Sequence, residues 1–187
     1  MKIDPLSTLL HRKAGQHGPV MLMYHAITPG KGAPDWPWAV SRQQFCDQLD
    51  FLADEGYATP TMGELATVPA QQWTGRTVTL TFDDGYADNL AACEELQKRG
   101  MRATWFIVSG SVGQAPRWPA DGRPQGRLLN ASELCAMQQS GMEIGSHTVS
   151  HVRLTEVDDV RLMQELVDSK VALEEMLGNA VNSFAYP

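Results

Sequence analysis

Short apolar runs alternate along the chain with longer stretches in which apolar residues recur at helical spacing. Runs of four to eight apolar and β-branched residues are typical of buried strands, whereas a repeat every three or four positions is typical of amphipathic helices. The predicted strands lie at 19–24, 57–60, 78–82, 102–109, 142–146 and 180–186. The predicted helices lie at 41–56, 62–66, 86–99, 130–139 and 155–177.

This alternation of strand and helix predicts an α/β fold with parallel strands joined by right-handed crossovers. The side chains that could carry chemistry follow predicted strands; they are His25, Asp83, Asp84, His147 and His151. In a parallel barrel the carboxyl ends of the strands meet at one mouth, whereas an open sheet would spread them along an edge. Because only about six strands can be counted, we expect a distorted or incomplete (β/α) barrel.

Length and composition narrow the class of protein. With 187 residues, 43% of them hydrophobic, we expect a single domain over residues 1–187, incomplete at its C-terminal end because the barrel lacks strands. The net charge of −7, with no run of Lys or Arg, argues against a nucleic-acid partner. We predict no membrane span, and the sequence leaves the oligomeric state open.

The N-terminus and the cysteines bear on the compartment. The first ten residues contain no apolar segment long enough for a signal peptide. Cys46, Cys93 and Cys135 are odd in number and lie singly in predicted helices, which favours free thiols in a reducing compartment. As written, the chain is expected to be cytoplasmic, although a protein whose leader had been removed would have the same pattern.

Two adjacent carboxylates, Asp83 and Asp84, end the apolar run Val78–Phe82 and are followed by Gly85. Two acids at the end of a buried strand are costly to place without a partner, and a divalent cation would neutralise them. The alternative is an ordinary Asp-Gly turn in which Asp84 or Asp88 caps the next helix.

A second cluster, His147-Thr-Val-Ser-His151, favours the cation. Histidines four residues apart face the same way in a helical turn, and with one aspartate they form a two-His, one-Asp set with open coordination positions. This composition suits Zn²⁺ first, and also Co²⁺, Ni²⁺ or Fe²⁺. Since only one aspartate is needed as a ligand, the other is the natural general base for the attacking water.

The segments Thr81-Phe-Asp-Asp-Gly85 and His147-Thr-Val-Ser-His151 resemble the first two motifs of the polysaccharide deacetylases, carbohydrate esterase family 4, also called the NodB-homology group. The resemblance implies the distorted barrel of that family. It also implies that Asp83 is the catalytic base and that Asp84, His147 and His151 bind the metal.

Phe184-Ala-Tyr-Pro187 lies where the family's third motif would begin, and the resemblance implies substrate contacts for Tyr186 and Pro187. Many members have an arginine at the position of Ala185. The Ala-Tyr-Pro form is similar to the poly-N-acetylglucosamine deacetylase branch, in which the barrel is circularly permuted. In that branch Leu22-Met-Tyr-His25 resembles the motif that supplies the general acid, which would make His25 the acid.

Several alternatives stay open at this point. His25 could instead be a strand-end histidine bonded to a backbone carbonyl, and His11 and His17, which lack a strand context, are interpreted as surface residues. The loop tryptophans Trp36, Trp38 and Trp118 could either form a platform for a sugar or pack as ordinary loop residues.

The resemblance implies a metal-dependent hydrolase that removes N-acetyl groups from an amino-sugar glycan. One alternative is a degenerate domain that binds a glycan or a metal without chemistry, because Ala185 replaces the arginine. Another is an amidase or deformylase that acts on a non-polymeric C–N bond.

Overall fold

Four parallel strands form the main sheet of the computed structural model, which describes residues 19–69, 72–73, 76–119, 121–123 and 125–187. The interpretations of the N-terminal segment, including those of His11 and His17, lie outside these residues. The strands are β1 (Val20–Tyr24), β2 (Ala26–Thr28), β3 (Ala39–Ser41), β4 (Val78–Phe82), β5 (Thr104–Ile107) and β6 (Glu143–Ser146). The helices are α1 (Arg42–Asp54), α2 (Met62–Thr67), α3 (Asn89–Lys98), α4 (Ala131–Gln139) and α5 (Asp159–Leu177).

The order of strands in the main sheet is β1-β4-β5-β6, and β2 and β3 form a separate parallel pair. The register pairs Tyr24 with Phe82, and Phe82 with Trp105. It also pairs Ile107 of β5 with Ser146 of β6. All four strands therefore end at the same edge of the sheet, as parallel strands must, and the residues that follow them are brought together there.

The predicted α/β class with parallel strands is confirmed, and the described strands are consistent with a distorted barrel. The expected strand at 180–186 is reduced to one bridge between Ser146 and Phe184. The expected strand at 57–60 is likewise one bridge, between Ala58 and Thr77. No helix among the described residues is both long and apolar enough to cross a bilayer.

Aromatic side chains build the centre of the core. The rings of Phe82 and Trp105 stack with centroids 4.5 Å apart and an interplanar angle of 6°, and Tyr24 stacks on the other side of Phe82 at 5.2 Å. Phe45 of α1 meets this column edge-on and is fully buried. Burial of each such side chain contributes roughly 1.5–3 kcal/mol. These packed aromatic rings hold the ends of the strands in place.

Two helices begin several residues later than the sequence predicts. Helix α3 begins at Asn89 rather than at Tyr86, because residues 85–87 exchange backbone hydrogen bonds with the returning loop at Arg127 and Leu129. Helix α5 begins at Asp159 rather than at 155, because a separate 3-10 turn precedes it and the Asp158 side chain caps its first turn. The sequence Asn130-x-x-Glu133 predicts a capping box at the start of α4, and the structure contains it, with Asn130 and Glu133 bonded reciprocally.

Candidate active site

A cavity of about 370 Å³ opens at the carboxyl edge of the sheet, and the sequence-predicted site residues converge on it. His25 follows β1, Asp83 and Asp84 follow β4, and His147 and His151 follow β6. These five residues line the cavity together with Tyr186 and Pro187. Parallel strands and their register explain the convergence, because the four ends stop at one level of the sheet.

The turn after β4 aims the two aspartates in different directions. The amide of Asp83 donates to the carbonyl of Tyr24 and so continues the ladder between the strands. The next residue, Asp84, leaves the strand with φ 70°, and Gly85 follows with φ 85°. An αL conformation at a residue other than glycine is uncommon and often marks a functional site. The Asp84 side chain is buried beside the histidines, so Asp84 is not a helix cap.

The two imidazoles meet the carboxylate of Asp84. Oδ1 of Asp84 lies 3.0 Å from Nε2 of His151 and 3.6 Å from Nε2 of His147. Nδ1 of His147 lies 3.0 Å from the carbonyl oxygen of Ala185. A carbonyl can only accept, so this Nδ1 carries the proton and Nε2 keeps its lone pair towards Asp84.

This group fits a divalent cation. One ligand atom from each of Asp84, His147 and His151 lies within 4.8 Å of the others. Oδ1 of Asp84 is buried, and apart from the two imidazole nitrogens it has no partner among the described residues, so a cation between the three ligand atoms would satisfy it. Burial lowers the pKa of His147 to about 4, despite the opposing charge of Asp84, so its ring is neutral and ready to bind metal near pH 7.

The electrostatics separate the two aspartates. Burial raises the pKa of Asp83 to about 7, and the charge of Asp84 adds to the rise. Burial would also raise the pKa of Asp84, but the adjacent His151 and His147 outweigh it and hold that pKa below its ordinary value. Two neighbouring carboxyl groups with pKa values pushed apart are typical of a ligand or stabiliser paired with a proton carrier.

The segment that carries the two histidines differs from the expected helical turn. Thr148 and His151 both have positive φ, 69° and 59°, and the amide of His151 donates to Oγ1 of Thr148. The rings still converge, with centroids 5.0 Å apart. Together with Asp84, these two are the positive-φ residues other than glycine in the described part of the chain, so the unusual backbone is concentrated at this site.

His25 borders the cavity at the end of β1. Its ring lies 5.3 Å from that of Trp38 and 6.3 Å from that of Trp36, and its carbonyl accepts a hydrogen bond from the side chain of Asn89. Burial lowers the pKa of His25, although the charge of Asp84 opposes the shift. The contacts of the His25 ring are with Trp36 and Trp38, and among the described residues it makes no hydrogen bond to a backbone carbonyl, which the alternative interpretation would require.

Aromatic side chains surround the opening. Trp38 is 54% exposed and Tyr186 is 77% exposed, and both line the cavity. Trp118 stacks on the ring of His151 with centroids 4.4 Å apart, and the guanidinium of Arg123 lies over the same indole. Trp36 is almost fully buried and packs against Tyr86, whereas Trp38 is exposed at the opening. The loop tryptophans therefore do not all have the same role.

Sequence reasoning missed two residues of this region. Tyr86 falls at the start of the helix predicted at 86–99, but it lines the cavity, and its buried hydroxyl makes no hydrogen bond to any residue that the structure describes. Glu165 of α5 is buried and bonds to the backbone between the two histidines. The sequence signal that could have identified Glu165 is a charged residue on the otherwise apolar side of α5.

A family model and a curated relative both indicate the same protein family. The model of the family described as polysaccharide deacetylase matches residues 70–187. YxkH of Bacillus subtilis, which bears the same family description, is 31% identical over 170 residues, which are 89% of this chain and 55% of YxkH. The chain therefore spans about half the length of that curated relative.

Two solved structures share the fold along most of the chain. IcaB from Ammonifex degensii is 28% identical with a TM-score of 0.76, over 91% of this chain and 74% of that one. The Streptococcus pyogenes deacetylase PplD, solved with acetate, is 27% identical with a TM-score of 0.73, over the same shares. The motif resemblance is thus confirmed by the family model and by structure, and the chain belongs to the polysaccharide deacetylase family.

Proposed function

We propose that this chain is a metal-dependent hydrolase that removes N-acetyl groups from an amino-sugar glycan. The observation that carries the proposal is the convergence of Asp84, His147 and His151 in one cavity with Asp83 and His25. The family adds support, and so does PplD, a related deacetylase whose structure contains acetate.

Asp84, His147 and His151 would hold the cation, with Zn²⁺ as the first choice and Co²⁺, Ni²⁺ or Fe²⁺ as alternatives. When bound, such a cation supplies Lewis-acid polarisation of a carbonyl and activation of water. The hydrogen bond from Nδ1 of His147 to the carbonyl of Ala185 orients the first ring, and the stack on Trp118 restrains the second.

Asp83 and His25 would move the protons. Asp83 accepts the proton of the attacking water, and a carboxylate with a pKa near 7 is well matched to a general base at neutral pH. His25 delivers a proton to the amine nitrogen of the sugar as the C–N bond breaks and acetate leaves. Because burial lowers the pKa of His25, the protonated form that this step needs is favoured below neutral pH. Proton transfer by a positioned side chain contributes roughly 10²–10⁴-fold in rate.

The rim residues would hold the sugar. Tyr186 and Pro187 line the cavity, and the exposed face of Trp38 lies close to His25. Aromatic faces pack well against the apolar faces of pyranose rings, which favours an amino sugar over a small cyclic amide.

The test is metal-dependent release of acetate from N-acetylglucosamine oligomers. Asp83→Asn should lower kcat/KM by roughly 10²–10⁴-fold while the protein retains its metal, because Asn cannot accept the proton. Asp88→Asn is a matched control, since Asp88 is a neighbouring half-buried aspartate with a pKa raised by burial to about 6, yet it does not line the cavity. This control should keep most of its activity.

Three results would argue against the proposal. Metal binding without acetate release would indicate a degenerate binding domain. Turnover only of formylated or cyclic substrates would indicate an amidase or deformylase. Near-full activity of metal-loaded Asp83→Asn would remove Asp83 from the role of base.

A further inference from the structure

Glu165 is a buried carboxylate on the inner side of α5 that the proposed chemistry does not use. Its side chain is 1% exposed. Oε2 accepts hydrogen bonds from the backbone amides of Val149 at 2.8 Å and Ser150 at 2.9 Å. Oε1 accepts from Oγ of Ser150 at 2.5 Å and pairs with Arg161 at 2.6 Å. One helix carboxylate thus takes up three donors from the loop between His147 and His151.

This loop has a backbone that needs external support. Its positive φ values, at Thr148 and His151, lie in a region that residues other than glycine seldom occupy. On one side, the carbonyls of Thr148 and Val149 accept from the amides of Ser109 and Gly110. On the other side, the amides bond to Glu165. The loop is therefore clamped between the segment after β5 and helix α5.

We propose that Glu165 is a positioning residue that holds this loop in the conformation that presents His151 to the cation. The inference rests on the metal site of the proposed function. Without the carboxylate, two part-buried amides lose their acceptor and the loop samples other conformations. The ring of His151 is then in the metal-binding position in only a fraction of the molecules. The apparent affinity for the metal is reduced to that fraction of its intrinsic value.

The experiment is a Zn²⁺ titration of protein stripped with a chelator, for the unaltered chain, Glu165→Ala and Glu165→Gln. Residues that orient a ligand without touching the metal typically change affinity by about 10–100-fold. Glu165→Ala should lie in this range. Glu165→Gln should lose less, because its amide oxygen can still accept from the two backbone amides.

Glu174→Gln is a matched control on the same helix. Glu174 also accepts from a remote backbone amide, that of Val181 at 2.9 Å, and pairs with a cation one turn away, Lys170 at 3.0 Å. Its partner segment does not lie between the two histidines. The zinc affinity of Glu174→Gln should therefore stay within about twofold of the unaltered protein, because the Glu174 side chain bonds to neither a proposed ligand nor the loop between the histidines.

The outcomes separate the two proposals. Unchanged zinc affinity in Glu165 variants that keep the native circular dichroism would overturn the positioning role and leave the metal site standing. Equal losses in Glu165→Gln and Glu174→Gln would also overturn it, because Glu165 would then only stabilise the fold. No zinc binding by the unaltered protein would overturn both proposals. If Glu165→Ala does not fold, Glu165→Gln decides alone.

Discussion

Asp83 and Asp84 are neighbours in the chain, yet the pKa values of their carboxyl groups shift in opposite directions. Both side chains are buried, so burial alone would raise both values. The difference arises from the direction of each side chain, because Asp84 faces His147 and His151 while Asp83 has mainly the charge of Asp84 beside it. A single αL residue after the strand is therefore enough to give two identical side chains different properties.

The raised pKa of Asp83 predicts a stability cost in the metal-free protein. The folded state holds the proton until about pH 7, whereas an ordinary aspartate releases it near 3.8. The folded state thus binds more protons between these values, and its stability falls as the pH rises through this window. At about 1.4 kcal/mol per pKa unit this window corresponds to about 4 kcal/mol, so Asp83→Asn should raise the free energy of unfolding at pH 8 by up to about 4 kcal/mol.

Urea denaturation in the presence of a chelator measures this effect. The difference between the variant and the unaltered protein should shrink to below about 1 kcal/mol at pH 4, where the aspartate is protonated in the folded state and about half protonated in the unfolded state. Burial lowers the pKa of His147, which makes stability rise with pH. Because both proteins contain His147, comparing them at the same pH cancels this contribution. Equal stabilities at both pH values would contradict the shift.

At the scale of elements, the turn between β4 and α3 has little room for change. A Cβ atom at Gly85 would lie 2.8 Å from the side chain of Ile107, and the φ of 85° already favours glycine. Gly100, after α3, has a similar φ of 64° but nothing within 4 Å of a Cβ. The two glycines therefore separate backbone strain from crowding.

Gly85→Ala should destabilise the protein by about 2 to 4 kcal/mol, because strain and overpacking add. Gly100→Ala should destabilise it by only about 1 kcal/mol, since it introduces strain alone. Thermal or chemical denaturation of both variants measures the difference. Equal losses would mean that Ile107 moves aside freely and that the turn is looser than its contacts indicate.

Helix α5 illustrates how an element can be predicted while its face is not. The helical periodicity of 155–177 predicts an apolar stripe of Leu162, Leu166, Leu173 and Leu177, which includes only two of the four buried residues of the helix. Glu165 and Ser169 are buried on it as well, and Ser169 bonds to Ser146 at the end of β6. Apolar periodicity finds the helix, but it passes over polar residues whose partners lie elsewhere in the chain.

At the scale of the whole molecule, the metal site should couple to the stability of the fold. A ligand that binds only the folded state at roughly 100 times its dissociation constant adds about 2.7 kcal/mol. For a chain of this size that corresponds to a rise of roughly 5–10 °C in Tm. Zn²⁺ should produce this rise, and a chelator should reverse it.

The control is a variant with both His147→Ala and His151→Ala, in which the carboxylate of Asp84 is left without its imidazole partners. Differential scanning calorimetry should find no zinc-dependent shift in this variant. An equal shift in both proteins would place the stabilising metal elsewhere and would contradict the three-ligand site.

The sequence by itself determined the alternation of strands and helices, the capping box of α4 and the identity of the five residues that converge at the site. These features are local, because periodicity, capping and short motifs depend on neighbours within a few positions. The convergence could be foreseen since parallel strands bring their carboxyl ends to one edge. The motifs were also sufficient for the family.

Only the tertiary structure decided the surroundings of those residues. It set the carbonyl of Ala185 against His147, stacked Trp118 on His151, and seated Glu165 under the loop between the histidines. The tertiary structure also places the start of α3 at Asn89 rather than at Tyr86, because the loop returning at Arg127 forms hydrogen bonds with the preceding turn. Each contact joins segments that are distant in the chain, and such pairings leave no trace in a local pattern of apolar and polar residues.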